Sequence, residues 1–302
     1  MDNPVLALFS GARRPILSFE VNPPKGVELA AVWERLDRAD IASRIDFLNV
    51  TDCALAKMRL AALPFAALLK QRYGLEPLVN VSCRDRNIIA LQSDLLAAWA
   101  LGVRSVVALT GDAVTVGDNP TAKGVFEVNS VGLLKLIAQL GNGLDLSGAA
   151  LSGAPDFFSG VVVNPNVRNP AAEVKKLLRK KEAGAKYALS QPVYDAVSAG
   201  EFFTQAASVG IPILVGLLPL KTPRAVKSIS NVPGIRIPQE LLTRLDFPDD
   251  ADVSEFFLSH CVELALALRD TVAGFHVVSG ATPRLGLQLI QELAKLRGEG
   301  TL

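Results

Sequence analysis

Short apolar runs alternate along this chain with stretches whose hydrophobic positions recur every three to four residues. The runs are PILSFEV from Pro15, IDFLNVTD from Ile45, EPLVNVSC from Glu76, SVVALTGD from Ser105, FSGVVVNP from Phe158, YALSQPVY from Tyr187, IPILVGLL from Ile211 and GFHVVSG from Gly274. Several, such as VVALT and IPILVGLL, are nearly continuous in apolar and β-branched residues, the mark of parallel strands covered on both faces. Between them, residues 28–39, 55–73, 88–101, 129–140, 170–183, 197–209 and 253–270 carry helical periodicity. Pro170 suits a first helical position, and Gly102, Gly184 and Gly210 suit the turn that ends a helix. Eight strand-then-helix units predict an α/β fold, a (β/α)8 TIM barrel forming one domain over residues 1–302. In such a barrel the chemistry lies at the carboxyl ends of the strands.

Two connections are longer than a minimal strand-to-helix loop. AVTVGDNPTAKGVFEVNS follows the fourth run, and KTPRAVKSISNVPGIRIPQELLTRLDFPDDAD follows the seventh. The second is expected to hold a helix, a turn at Pro233-Gly234 and another helix from about Pro238. Long loops on a barrel rim normally bind ligand. With 31 basic and 30 acidic residues the net charge is +1, which argues against a nucleic-acid partner. Cys53, Cys83 and Cys261 lack paired spacing, so neither a zinc site nor a disulfide framework is signalled and no metal is expected. The amino terminus is unlike a signal peptide, and no apolar run reaches the roughly 18 residues that span a bilayer. A cytoplasmic protein without a membrane partner is expected.

The polar residues at the strand ends are Glu20, Thr51 with Asp52, Asn80 with Ser82, Thr110-Gly111-Asp112, Asn164, Ser190-Gln191 and Ser279-Gly280. Glu20 precedes the stiff Asn22-Pro23-Pro24, and a carboxyl at a partly apolar barrel mouth suits a general acid. Such a carboxylate can equally cap a helix or pair with an arginine. Asp112 can serve the chemistry or simply form a strand-to-loop turn. Gln191 can offer a donor and an acceptor to a heterocycle, or be a buried structural amide. His260 and His276 form no nucleophile-base pair, and Arg179, Lys180 and Lys181 read as a solvated helix face or a phosphate contact. No Gly-rich dinucleotide fingerprint or Walker loop follows any strand.

In chain order, SFEVNPPK, NVTDCA, NVSCRDRN, VVALTGD, NPNVRNP, KKLLRKKEAGAKYALSQPVYD and ILVGLLPLKTPRAVKSISN resemble the methylenetetrahydrofolate reductase family, clearly over residues 15–245. VALTGDAVTVGD, FEVNSVGLLKLI and LSQPVYD are similar to the branch also found fused to homocysteine methyltransferase domains. The resemblance implies a flavoprotein barrel holding FAD, in which NADH or NADPH reduces 5,10-methylenetetrahydrofolate to 5-methyltetrahydrofolate. Such an oxidoreductase serves one-carbon metabolism and methionine biosynthesis. By the same resemblance Glu20 is the acid that opens the imidazolidine ring to an iminium, and Asp112 acts electrostatically on flavin and folate. Gln191 would recognise the pterin, and Arg284 would match a family arginine after the last strand at a different spacing. Thr51, Asn80, Thr110, Gly111, Asp112, Asn164, Arg168, Glu173, Lys176, Arg179 and Lys180 would line or anchor the FAD.

The chain departs from the common pattern in places. Asn80 stands where many members have His, Thr110 where many have Arg and Asn164 where many have Tyr, which removes phosphate pairing and ring stacking. Ala225 and Ile229 replace a Gln and a Phe. The alternatives are a pterin-binding methyltransferase barrel, or a folate-binding or electron-relay subunit of a larger complex. A homo-oligomer or a partner electron-transfer subunit is compatible with each.

Overall fold

The computed structural model describes residues 3–11, 14–243, 250–280 and 283–302. A short helix, α1 (Pro4–Gly11), precedes eight parallel strands: β1 (Ile16–Val21), β2 (Phe47–Val50), β3 (Glu76–Ser82), β4 (Ser105–Leu109), β5 (Phe158–Val163), β6 (Tyr187–Pro192), β7 (Ile213–Leu217) and β8 (Gly274–Val277). They pair in chain order, and β8 returns to β1 to close the barrel. Helices α2 (Ala30–Arg38) and α3 (Ile41–Arg44) follow β1, α4 (Ala62–Tyr73) follows β2, and α5 (Ile88–Ala100) follows β3. Next come α6 (Ser130–Gly141), α7 (Pro170–Glu182) and α8 (Ala196–Ala206), each after its strand, then α9 (Pro223–Ser230), α10 (Gln239–Thr243) and α11 (Asp250–Leu268) after β7, and α12 (Pro283–Gly298) after β8. The expected barrel is therefore the observed one.

The local chemistry that starts and stops these helices is simple. Asn87, Asn129, Asn169 and Asp195 accept first-turn N–H bonds with their side chains and so begin α5, α6, α7 and α8 at the strand-end rim. The turn expected at Pro233-Gly234 separates α9 from α10, and residues 244–249 of that excursion lie outside the described residues. One expectation fails: the helix over 55–73 begins only at Ala62. Cys53, Leu55 and Ala56 have positive φ, which an α-helix excludes, and Leu60 N–H donates to Pro24 O instead. Among the described residues no helix is long and apolar enough to cross a membrane.

Alternation along the strands sorts the core into two layers. Leu17, Phe19, Val21, Leu48, Val50, Val79, Val81, Val106 and Ala108 face the helices. Ile16, Phe47, Leu78, Val107, Phe158, Tyr187, Leu189 and Leu214 fill the barrel, with Val5 of α1 among them. Helix α1 closes the end where the strands begin. Its Phe9 ring lies 5.5, 5.4 and 5.0 Å from the rings of Phe47, Phe158 and Tyr187. Higher up, polar pairs replace apolar contacts: Ser18 Oγ lies 2.9 Å from His276 Nδ1, and Ser105 donates to Phe158 O while meeting the Tyr187 hydroxyl. The barrel is thus sealed and apolar at one end and increasingly polar toward the other.

Two outcomes follow. Phe9→Ala should lower the unfolding free energy by about 3 kcal/mol in urea titration; a loss below about 0.5 kcal/mol would mean that the plug carries no stability. Burial brings the His276 imidazole down from 6.5 to about 4, so the unfolded chain takes up a proton that the folded barrel refuses. Stability contributed by the neutral ring is complete above pH 6.5 and drains as pH falls toward 4. Unfolding of His276→Asn should show a shallower loss over that interval, and an unchanged slope would assign it to other groups.

Candidate active site

Glu20 shares the inward parity of Ile16 and Ser18, so its carboxyl enters the barrel at the open end. Its Oε1 accepts four donors: Ser279 N–H and Ser279 Oγ–H at 3.2 Å each, Gly280 N–H at 3.4 Å and Asn22 Nδ2 at 3.4 Å. No donor reaches Oε2 among the described residues. Burial pushes the carboxyl above its ordinary range, against the opposing pull of Gly280, Ser279 and Asn22. Asn22 also donates to Ser279 Oγ at 3.1 Å, and its Oδ1 accepts the buried Thr51 hydroxyl at 2.8 Å. A carboxylic acid with one occupied and one open oxygen, facing the mouth, is the group a proton transfer needs.

Amides share this end of the barrel. Asn49, buried between β2 and β3, donates to Leu78 O and to Asn80 Oδ1 at 3.0 Å, which leaves the Asn80 NH2 without a hydrogen-bond partner among the described residues. Gln191, half-buried, follows the inward Leu189 near the end of β6, and its side-chain amide has no partner among the described residues. The local ladder is irregular there: pairing shifts between Leu189 and Pro192, Ser190 Oγ donates to Gln191 O, and Gly216 N–H donates to Ser190 Oγ. A side chain at Gly216 would bring its Cβ to 2.6 Å from Ser190 O, so this close approach requires glycine. Asn164 Oδ1 accepts Asn166 N–H, and Asn166 donates to both Pro192 O and Gly234 O at 2.9 Å. The Pro233-Gly234 turn is thereby fastened over the ends of β5 and β6.

Loops build the remaining rim. Asp112 is exposed, and its Oδ2 accepts Leu55 N–H at 2.8 Å, so the carboxylate holds the β2 connection beside the β4 connection. Thr110 Oγ1 accepts Ser130 N–H at the start of α6. Gly111 has φ +96°, and a Cβ there would fall 2.2 Å from Ser82 Oγ and 2.9 Å from Arg84 Cβ. Asp118 joins the same loop to Met58 N–H and Lys25, while Val125 and Phe126 N–H groups return to Arg84 O and Cys83 O. Beneath them Asp52 takes Ser82 N–H and both terminal nitrogens of Arg86, whose Nε reaches Asp94.

The expected anchors on α7 are distributed differently. Glu173 is buried and accepts Asn164 N–H at 3.2 Å, with Lys176 Nζ 3.5 Å from its other oxygen. Lys180 donates to Val162 O; burial, helped by neighbouring Lys176 and opposed by Glu173, lowers its ammonium to about 8. Arg168, Arg179 and Arg284 are exposed and make no ion pair among the described residues. The structure thus gathers Glu20, Thr51, Asn80, Asn164 and Gln191 at the barrel end and leaves Arg179 and Arg284 on helix surfaces. A cavity of about 620 Å3 opens at the opposite end, lined by Phe9, Arg14, Ile16 and Leu302, away from all of these groups. The partners of Glu20 were not legible as such: Asn22 was read only as part of a stiff turn, and nothing local in Ser279 signals a residue of the distant β1.

Comparison with known proteins decides the family. The model of the family described as methylenetetrahydrofolate reductase matches residues 7–293. The chain belongs to the methylenetetrahydrofolate reductase family. It is 30% identical over 225 residues to the 5,10-methylenetetrahydrofolate reductase of Salmonella typhimurium, covering 74% of this chain and 70% of that protein. The Escherichia coli enzyme of the same name is 29% identical over 237 residues, covering 78% and 74%. Methylenetetrahydrofolate reductase 2 of Saccharomyces cerevisiae is 25% identical over 289 residues, covering 93% of this chain and 47% of that protein. Among solved structures, an uncharacterized protein from Clostridium thermocellum that binds two copies of 5-methyl-5,6,7,8-tetrahydrofolic acid has a TM-score of 0.65 at 15% identity, covering 96% of this chain and 99% of that one. At that identity the likeness is one of fold.

Within this family architecture the Gly111 turn sets the rim where β4 ends. Gly111→Ala should cost about 2 kcal/mol or more, through both the positive φ and the contacts with Ser82 and Arg84. Thermal unfolding measures this, and a variant as stable as the parent would show that the turn has another conformation.

Proposed function

We propose that this chain reduces 5,10-methylenetetrahydrofolate to 5-methyltetrahydrofolate, with NADH or NADPH as electron donor and FAD as the resident cofactor. The observation that carries the reading is the inward Glu20 carboxyl with one open oxygen, at the same barrel end as the unpartnered Gln191 amide, in a chain of this family. The donor set fits a flavin: the Asn80 NH2 can meet a planar heterocycle, and exposed Arg168 can meet a phosphate. FAD, when bound, would supply hydride transfer, a chemistry no side chain of the chain offers.

The chain's own groups then have distinct tasks. Glu20 in its acid form delivers a proton from Oε2 to a ring nitrogen of the substrate's five-membered ring, which opens it to the cationic iminium. Raised by burial and touched by no cation among the described residues, its carboxyl holds that proton to higher pH than an ordinary glutamate does. Gln191 offers a donor and an acceptor to the pterin edge. Asp112, with one oxygen on Leu55 N–H and the other open, adds negative charge at the rim that favours an iminium.

Glu20→Gln keeps the shape of the side chain and removes the proton. It should lower turnover of methylenetetrahydrofolate by at least about 100-fold. In the parent, turnover should be full where Glu20 is protonated and fall as pH rises through its elevated pKa. The purified protein should be yellow, bleach anaerobically with one of the two nicotinamides, and oxidise methyltetrahydrofolate with an artificial acceptor. A colourless protein that instead moves the methyl group to a corrinoid would replace this reading with a methyltransferase.

A further inference from the structure

Resting on the reading of Glu20 as the acid, we infer that Asn22 is a positioning residue that, set in place by Thr51, reserves Oε1 of Glu20 for donors and so assigns the transferable proton to Oε2. Three of the four donors on Oε1 are N–H groups, from Ser279, Gly280 and Asn22, and an N–H cannot turn round to accept. The fourth, the Ser279 hydroxyl, accepts from Asn22 Nδ2 at 3.1 Å, which directs its own hydrogen toward Glu20. A proton on Oε1 would therefore face four hydrogens. On Oε2 it faces the mouth.

The orientation of the Asn22 amide is itself determined. Thr51 Oγ1 donates to Asn22 Oδ1 at 2.8 Å, and Gly280 O lies 3.5 Å from Asn22 Nδ2. A flipped amide would set its oxygen against two acceptors, Gly280 O and Glu20 Oε1. Thr51 thus acts on the acid through Asn22.

The charged groups around this cluster are occupied elsewhere. Just beyond β2 Asp52 is held by Arg86 and Ser82 N–H, and on β8 His276 meets Ser18. In the β1 connection Lys25 pairs with Asp118, Asp112 of the β4 connection accepts Leu55 N–H, and Arg284 at the start of α12 is exposed. Burial and the neutral donors opposing it, rather than a charged neighbour, therefore set how tightly Glu20 holds its proton.

The test is a pH profile of kcat and KM for the flavin-loaded parent, Asn22→Leu, Thr51→Val, the double variant, Ser279→Ala and Glu20→Gln. Losing a donor to the ionised form should move the alkaline limb of Asn22→Leu upward by about one pH unit. Its acid-plateau kcat should fall about tenfold with KM within about twofold. Thr51→Val should shift the limb in the same direction by less, and the double variant no further than Asn22→Leu alone. Ser279→Ala removes a donor at 3.2 Å, nearer than that of Asn22 at 3.4 Å, keeps both backbone donors and should also shift the limb upward, which tests the clamp even where Asn22→Leu does not fold. An inactive Glu20→Gln alongside unshifted limbs in Ser279→Ala and Thr51→Val would overturn the clamp while leaving the acid in place. An active Glu20→Gln would overturn the reading of the acid and the clamp with it.

Discussion

Closure of the sheet between β1 and β8 is the constraint on which the site depends. Glu20 lies on the first strand, and three of its four donors come from Ser279 and Gly280, just beyond the last, 259 and 260 residues away. The donor set of Glu20 is assembled only when Ile16 to Phe19 pair with Gly274 to Val277 and the barrel has no edge left. Such a contact carries a large loop-closure cost, which the many apolar side chains packed between strands and helices must offset. Folding and site formation are therefore one event at this seam.

The interior shows how the same alternation serves two purposes. At the strand starts the inward positions are Ile16, Phe47, Phe158 and Tyr187, and Phe9 stacks on Phe47 and Tyr187 and lies tilted against Phe158. In the middle the inward polar atoms are matched to one another, as Ser18 is with His276 and Ser105 with Tyr187. At the strand ends, matching stops: Asn80 keeps a free NH2, Gln191 a free amide and Glu20 a free oxygen among the described residues. Polar groups cost free energy when buried without partners, so leaving them open is tolerable only where solvent or a ligand can reach.

This gradient explains what could be read from the chain and what could not. The strands were legible because their apolar runs are continuous, and the helix ends because Pro170, Gly102, Gly184 and Gly210 act locally. The helix expected from residue 55 was wrong because apolar spacing in ALAKMRLAALPF mimics a helix, while Leu55 and Ala56 adopt left-handed backbone under the pull of Asp112 and the β4 connection. Helix α1 gave no strand-like or periodic cue, since its apolar residues are divided between the barrel and the surface. Glu20 and Gln191 were legible as strand-end polar residues. Their surroundings were not, because Asn22, Thr51 and Ser279 become partners through register and closure, which no local pattern encodes.

The division between charged and neutral groups at the open end has a chemical consequence. Several charged side chains of the rim are paired, Asp52 with Arg86 and Lys25 with Asp118 across loops and Arg84 with its neighbour Asp85. They hold the connections together. The groups aimed inward are amides, hydroxyls and one carboxyl, and no cation among the described residues contacts that carboxyl. A cation beside Glu20 would stabilise the carboxylate and strip the acid of its proton near neutrality. Neutral donors orient the carboxyl with a weaker bias toward ionisation, so burial still prevails and holds its pKa above the ordinary carboxylate value. Charge placed in the scaffold and neutral donors at the mouth therefore suit the proton-donor role proposed for Glu20.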